Sequence, residues 1–380
     1  MLSKLRVQRY KSLFDVEVDL EPLTVFIGPN GSGKSNVCEA LAVLSGFLQQ
    51  VMQEANSRVF DDFTQSLNKV GINQQTIESK FWHGVANSLL FHVEVAAVHG
   101  NFSETESLAW LTTELFYEQK TVSIKGLLNE REREYTTHLR NSLVESHYTN
   151  SPISQALGNV CIYDFNPTSL SRQINSTSPI SMNKTGEGIS DALVDVLHDN
   201  RQSFDELEDR LARLVPNIKR IALPRTKNDG YSLQLIDRYS EHHIPASDIS
   251  DGTLRILAFL TALYQKDTPS IICFEEPENG VHPWLLSKMM ELLKLVATEG
   301  ITGKPVQVLI TTHSPVLLNY VEPQQVRAVE LDNEGKTQIH PLPVDSARFQ
   351  KAMEAYDGAL GELWFTNIFG GNPAWIARFV

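Results

Sequence analysis

Apolar runs that stop abruptly at turn-formers or charged residues mark the core strands of this chain. Leu23–Ile27 reads LTVFI and ends at Gly28-Pro29. The stretch 270–274 reads SIICF and ends at carboxylates, and 308–312 reads VLITT and ends at His313. Runs this short and this apolar predict buried strands of a parallel sheet. The stretch 36–44 reads as a helix, and 256–264 as an apolar helix. The stretch 189–214 is amphipathic, with Ile189, Leu193, Val196 and Leu197 on one stripe, and predicts a helix broken before Pro216. Between these lie 89–95, 107–117 and 120–124, which alternate as strands of an antiparallel meander, and 159–165, a further strand. The stretch 45–80 predicts helix with Phe47, Val51, Phe60, Phe63 and Leu67 toward a core. Glu130 to Glu134 is an exposed charged stretch, and 166–188, rich in Ser, Asn, Thr and Pro, predicts a loop. No internal repeat is present.

The loop after the first strand reads GPNGSGKS, Gly28 to Ser35, and opens directly onto a helix. Strand, Gly-rich loop and helix in that order are the context of a phosphate-binding loop. Backbone N–H groups around Gly31, Ser32 and Gly33 wrap a phosphate, helped by the helix dipole. Lys34 is expected to reach the β- and γ-phosphates and Ser35 to ligate Mg²⁺.

Three downstream segments refine the chemistry. Glu275 and Glu276 end the second strand in CFEEPENGVHP, where open α/β sheets bind ligands. Glu275 is the candidate Mg²⁺ ligand and Glu276 the candidate general base for water, the two pointing to opposite faces of an extended strand. His313, at the end of the third strand in TTHSP, is placed for a γ-phosphate or the lytic water, with Pro315 opening the next helix. Ser250 and Gly252 in SDGT head the apolar helix and form a second candidate anion site. Taken alone, Ser250 is an ordinary N-cap.

Together GPNGSGKS, SDGT, CFEEPENGVHP and TTHSP resemble the ABC-class ATPases of the SMC/RecF/OLD branch, and among them its prokaryotic predicted ATPases. The stretch 5–18 resembles that branch's first hairpin, and 360–365 with 370–373 its tail. The resemblance implies an α/β P-loop NTPase of ABC ATPase type, with a mostly parallel core sheet, an antiparallel β subdomain and a helical lobe. It implies that Ser250 and Gly252 bind the γ-phosphate of ATP held by a second subunit, so that hydrolysis needs a head-to-head homodimer or higher oligomer. The nucleotide set is then Asn30, Gly31, Ser32, Gly33, Lys34, Ser35, Asn36, Ser250 and Gly252; the metal set is Ser35 and Glu275; and the catalytic set is Glu276, His313 and Lys34. The cofactors are ATP and Mg²⁺. Glu275 stands where transporter ATPases have aspartate, Asp251 where their signature has its first glycine, and no Q-loop is assigned.

At 380 residues the chain suits one large α/β domain with a subdomain. The expected division is 1–45 (hairpin and P-loop), 46–155 (helical insert and antiparallel strands), 156–265 (helical lobe with the signature), 266–345 (the rest of the ATPase core) and 346–380 (an aromatic tail). The three cysteines, Cys38, Cys161 and Cys273, lack metal spacing and read as reduced thiols. No signal-peptide core or apolar run of about 20 residues is present, so a cytoplasmic location away from membranes is expected.

A net charge of −13 argues against a protein coated in nucleic acid. Arg210, Arg213, Lys219, Arg220, Arg225 and Lys227 still cluster, as a solvated face or as a DNA- or partner-contacting edge. Lys4, Arg6, Arg9 and Lys11 protect a sheet edge equally well. The segment between P-loop and signature is too long for a compact transporter ATPase and lacks the heptads of a long coiled coil. After His313 no glutamate with paired aspartates forms a Toprim nuclease set, so a nuclease is expected, if anywhere, in a separate protein. Trp364, Phe365, Phe369 and Trp375 make the tail either a docked helix or a partner-binding element. The expected function is Mg²⁺-dependent ATP hydrolysis coupled to dimerisation, signalling to DNA or to a separately encoded effector in anti-phage defence or genome maintenance. Alternatives are a nucleotide sensor with negligible turnover and a RecF-like DNA-binding repair ATPase acting alone.

Overall fold

The computed structural model describes residues 1–56, 80, 88–95, 109–116, 121–128, 131–137, 151–172, 182–226, 230–265, 268–301 and 303–369. Outside them fall most of the expected 45–80 helix with Phe60, Phe63 and Leu67, the margins of the 107–117 strand, part of the 166–188 loop, Lys227, and the tail from 370 onward with Trp375.

The described residues form two compact units. The first comprises 1–161, 269–273 and 306–380, and the second 162–268 and 274–305. The chain passes from the first to the second within β8 (Val160–Tyr163) and again within β12 (Ile271–Glu275).

The first unit carries a six-stranded sheet in the order β15-β14-β3-β13-β12-β8. Its centre is β3 (Leu23–Ile27), parallel to β13 (Gln307–Thr312) on one side and to β14 (Val326–Leu331) on the other. All of β3 and all of β13 are buried, as the apolar runs require of strands covered on both faces. β15 (Thr337–Pro341) pairs antiparallel with β14.

A second six-stranded sheet is antiparallel and runs β2-β1-β4-β5-β6-β7. Its first hairpin, β1 (Leu2–Tyr10) and β2 (Leu13–Asp19), matches the expectation. β1 also pairs with β4 (Ser88–Val95), so the meander β4, β5 (Ala109–Phe116), β6 (Thr121–Leu128) and β7 (Arg131–Thr137) extends the hairpin's sheet. The charged stretch after residue 130 is therefore a strand, β7. It pairs with β6, an outcome of tertiary context that strand propensity alone does not signal.

The second unit is mostly helical, with a small antiparallel sheet in which β10 (Gln234–Asp237) lies between β9 (Ile218–Ala222) and β11 (His243–Pro245). Two helices, Ile189–Asp199 and Arg201–Leu214, replace the single one expected over 189–214. Asn200 breaks the pattern: it is extended, and its side chain accepts from the N–H groups of Gln202 and Ser203, capping the second helix. The expected loop after residue 165 contains a short helix, Pro167–Leu170, capped by Asn166 with proline at its start. Tyr163, Phe165, Phe259 and Phe274 pack ring against ring at 5.0 to 6.2 Å between centroids, at about 1.5–3 kcal/mol per buried ring. That cluster fixes the carboxylate end of β12 against the helix Asp251–Tyr264.

In the tail, the helix Leu360–Phe365 docks on the segment after His313: Gly361 donates its N–H to Asn319 Oδ1 at 2.8 Å, and Trp364 is buried while Phe365 is exposed. Among the described residues no helix is long and apolar enough to cross a membrane.

Candidate nucleotide-binding site

The P-loop leaves the sheet at its centre. Ile27 pairs with Thr312 on one side and Ala328 on the other, so Gly28 emerges level with His313 and Val329. The crowding there dictates glycine, since a Cβ on Gly28 would sit 2.0 Å from the Val329 carbonyl oxygen. Gly31 and Gly33 both have positive φ, 77° and 100°, the curvature that turns successive N–H groups toward one point. The helix Lys34–Asn56 follows without a break. Lys34 is buried, and its ammonium bridges the carbonyls of Gly28 and Pro29 at 2.8 Å each. Asn30 is exposed at the rim, and Ser35 and Asn36 are half-buried on the first helical turn. His313, also half-buried, shares this unit with the P-loop.

A phosphate fits this loop on two observations. Ser32 Oγ is buried with no hydrogen-bond partner among the described residues, an arrangement that costs about 1–3 kcal/mol until a ligand supplies one. The positive φ of Gly31 and Gly33 also curves the backbone so that successive N–H groups can converge on one anion.

The second unit holds the other candidates. Ser250 is exposed and caps the helix Asp251–Tyr264, accepting from Thr253 N at 3.4 Å and lying 2.9 Å from Thr253 Oγ1. Gly252 is fixed by a close approach: a Cβ there would be 2.8 Å from the Gly280 carbonyl oxygen. The signature turn thus rests on the turn that follows the acidic strand.

Glu275 is the last residue of β12, and its side chain is 9% exposed. Its Oε2 lies 2.7 Å from Lys184 Nζ, while Oε1 is buried with no partner among the described residues. That free oxygen suits a hard cation, and Mg²⁺ needs only one or two carboxylates besides phosphate and water.

Glu276 is not on the strand. Its φ is 46°, a left-handed backbone in a non-glycine residue, and Asn279 Nδ2 donates to its Oε2 at 2.7 Å. The two acids are therefore separated by a backbone turn rather than by strand alternation. Holding glutamate in that conformation costs about 1–3 kcal/mol, a strain found most often at functional sites.

The basic cluster is partly spent on local structure. Arg210 Nε donates to Tyr264 OH at 2.7 Å, and Lys219 pairs with Glu241.

Comparison with known proteins places the chain. Residues 1–81 match the family described as AAA ATPase domain, and residues 165–319 match the one described as AAA domain, putative AbiEii toxin, Type IV TA system. An ATP/GTP phosphatase of Helicobacter pylori (strain ATCC 700392 / 26695) is 22% identical over 88% of this chain and 91% of its own. An OLD nuclease of Thermus scotoductus (strain ATCC 700910 / SA-01) is 39% identical over 46 residues, 12% of this chain and 9% of that protein. An SMC head bound to the C-terminal winged-helix domain of ScpA superposes with a TM-score of 0.55 at 15% identity, covering 93% of this chain and 99% of the head. The SMC head with an extended coiled coil, bound to the C-terminal domain of ScpA from Pyrococcus furiosus, gives 0.54 at 13% identity, covering 94% and 98%. Two segments of the chain thus match AAA ATPase domains, the likeness to the phosphatase spans most of its length, and its fold is that of SMC heads.

Sequence reasoning missed three side chains that contact the candidate residues of this ATPase. Lys184 meets Glu275. Ser12 and Thr337 meet the P-loop from its outer side. Lys184 and Thr337 belong to no motif and lie about 90 and 300 residues from the residues they touch, and Ser12, although inside the first hairpin, reaches the loop only through the fold.

Proposed function

We propose that this ATPase hydrolyses ATP with Mg²⁺, that two heads pair to complete each site, and that the cycle drives a partner. The observation that carries the reading is the P-loop itself: two positive-φ glycines, a buried lysine and a buried serine hydroxyl with no partner among the described residues.

In this reading Asn30 to Asn36 bind the triphosphate, with Lys34 moving from the Gly28 and Pro29 carbonyls onto it. Ser35 and Glu275 would hold the metal, which would neutralise charge on the phosphates. Glu276 takes the proton of the attacking water, and its hydrogen bond from Asn279 fixes the carboxylate's orientation. His313 hydrogen-bonds the γ-phosphate or that water. Ser250 and Gly252, at an exposed helix N-terminus, meet the nucleotide of a second copy. The family resemblance supports these roles, and the order of the motifs along the chain agrees with it.

The output is a conformational signal to DNA or to a separately encoded effector, in defence against phage or in genome maintenance. A protein partner is supported by the similar SMC heads, which were solved with ScpA domains, and a nuclease-like one by the short match to an OLD nuclease.

Calorimetric titration of ATP into wild type and Lys34→Ala tests the binding half. The wild type should bind and the variant should not, because that ammonium supplies the main side-chain charge against the triphosphate. Equal affinities would remove the basis of the reading.

A further inference from the structure

The P-loop of this ATPase is held from behind by a chain of hydroxyl groups drawn from both ends of the sequence. Ser12 lies in the turn between β1 and β2, and Thr337 is the first residue of β15. Asn36 Nδ2 lies 2.7 Å from Ser12 Oγ, Ser12 Oγ lies 2.7 Å from Thr337 Oγ1, and Thr337 Oγ1 lies 2.9 Å from the Ser32 carbonyl oxygen. The Thr337 N–H also donates to the Ser12 carbonyl at 2.9 Å, tying the two strands together beside the loop.

The direction of this chain is fixed by its end. A carbonyl only accepts, so Thr337 must spend its one proton on Ser32. Ser12 must then donate to Thr337, and the Asn36 side chain must present its NH₂ group to Ser12. Each hydroxyl gives one bond and accepts one, and Thr337 does so while 1% exposed, where an incomplete network would be costly.

The consequence for the loop follows from peptide geometry. A trans peptide points its C=O and the next N–H in opposite directions. Drawing the Ser32 carbonyl outward onto Thr337 aims the Gly33 N–H inward. The same hydroxyls occupy the space where a residue-33 side chain would go: a Cβ on Gly33 would lie 2.1 Å from Thr337 Oγ1 and 2.7 Å from Ser12 Oγ.

The hairpin tip that carries Ser12 is itself anchored. Lys11 pairs with Glu39, one turn beyond Asn36 on the P-loop helix, and the Tyr10 hydroxyl donates to the same carboxylate at 3.4 Å. Burial, with Glu39 adding to it, pushes the Tyr10 phenol well above its usual range, so it stays a neutral donor. Arg9 reaches the other way, to Ser88 and Glu114 on β4 and β5.

We infer that Ser12 and Thr337 are positioning residues for nucleotide binding, a hydroxyl clamp that presets the Ser32–Gly33 peptide for a phosphate. The inference rests on the P-loop being the nucleotide site, which Lys34→Ala tests separately.

The test is calorimetric affinity for ATP, ADP and AMP in Thr337→Val, Thr337→Ser, Ser12→Ala and the double variant Ser12→Ala/Thr337→Val, each with its thermal midpoint. Valine keeps the shape of threonine without its hydroxyl. Thr337→Val and Ser12→Ala should each bind ATP and ADP about 3- to 10-fold more weakly, the effect of one hydrogen bond. Thr337→Ser should bind like the wild type. The double variant should lose no more than the weaker-binding single variant, because both break one chain. The ATP-to-ADP preference should not change, since the loop cradles the phosphates they share. Two results would overturn the clamp: wild-type affinity in a folded Thr337→Val, or losses that multiply in the double variant. A lowered thermal midpoint with unchanged affinity would also overturn it, by making the hydroxyls purely structural. If the wild type bound ATP and Lys34→Ala did not, such a result would count against the clamp alone.

Discussion

Lys184 Nζ sits 2.7 Å from Glu275 Oε2, giving the buried acid at the end of β12 a cationic partner from the chain itself. Glu275 is nearly enclosed, whereas Lys184 is 41% exposed, so solvent screens the pair. Lys184→Ala should therefore lower stability by only about 1–2 kcal/mol. The more telling effect concerns the metal. If Glu275 holds Mg²⁺ as proposed, the ion compensates part of the lost lysine charge, and Mg²⁺·ADP should raise the thermal midpoint of Lys184→Ala by more than that of the wild type. Equal shifts measured by differential scanning would separate Glu275 from the metal.

Gly252 rests on the Gly280 carbonyl, with no room for a methyl group. The carbonyl belongs to the turn that begins at Glu276 and is tied to it by the Asn279 bonds. Gly252→Ala should push that turn and misplace the Glu276 carboxylate. ATP turnover should fall about 10-fold or more, as displacement of a general base predicts, while ATP affinity stays within about 3-fold because the P-loop is untouched. Unchanged turnover would show that the turn tolerates the shift.

The P-loop was legible in the sequence because all of it is contiguous: an apolar strand, a glycine loop and a helix, each following the last. The same holds for the Ser250 cap and the acidic end of β12. What was not legible depends on partners remote in sequence. Thr337 is an unremarkable strand residue until β15 lies beside the first hairpin, and Lys184 sits in a stretch whose composition says only loop. In the sequence Glu276 reads as the next residue of an extended strand, because nothing in Glu-Glu-Pro announces a positive φ. The amphipathic stripe over 189–214 runs on through Asn200, although an asparagine in a helical stripe is a capping signal in its own right. The joining of the first hairpin to the meander is a pairing of β1 with β4, and edge partners are set by tertiary packing rather than by strand propensity.

The composite site predicts complementation between chains. Ser250→Arg should bind ATP almost normally, since the loop holding Lys34 is intact, yet fail to dimerise on ATP and fail to turn over. Lys34→Ala should fail to bind. Mixed, the two should recover part of the wild-type activity, because a heterodimer keeps one site with an intact P-loop and an intact facing serine. With both variants folded and able to associate, absence of recovery would place hydrolysis within a single chain.

In the proposed reaction this protein hydrolyses ATP with Glu276 as general base. Steady-state phosphate release at saturating Mg²⁺·ATP, comparing wild type with Glu276→Gln, tests it most directly. Glutamine keeps the shape and the bond to Asn279 but cannot accept the proton, so turnover should drop at least ~100-fold while ATP remains bound and the protein accumulates as an ATP-loaded dimer. Turnover equal to the wild type would contradict the account and move the role to another acid, Glu278 first.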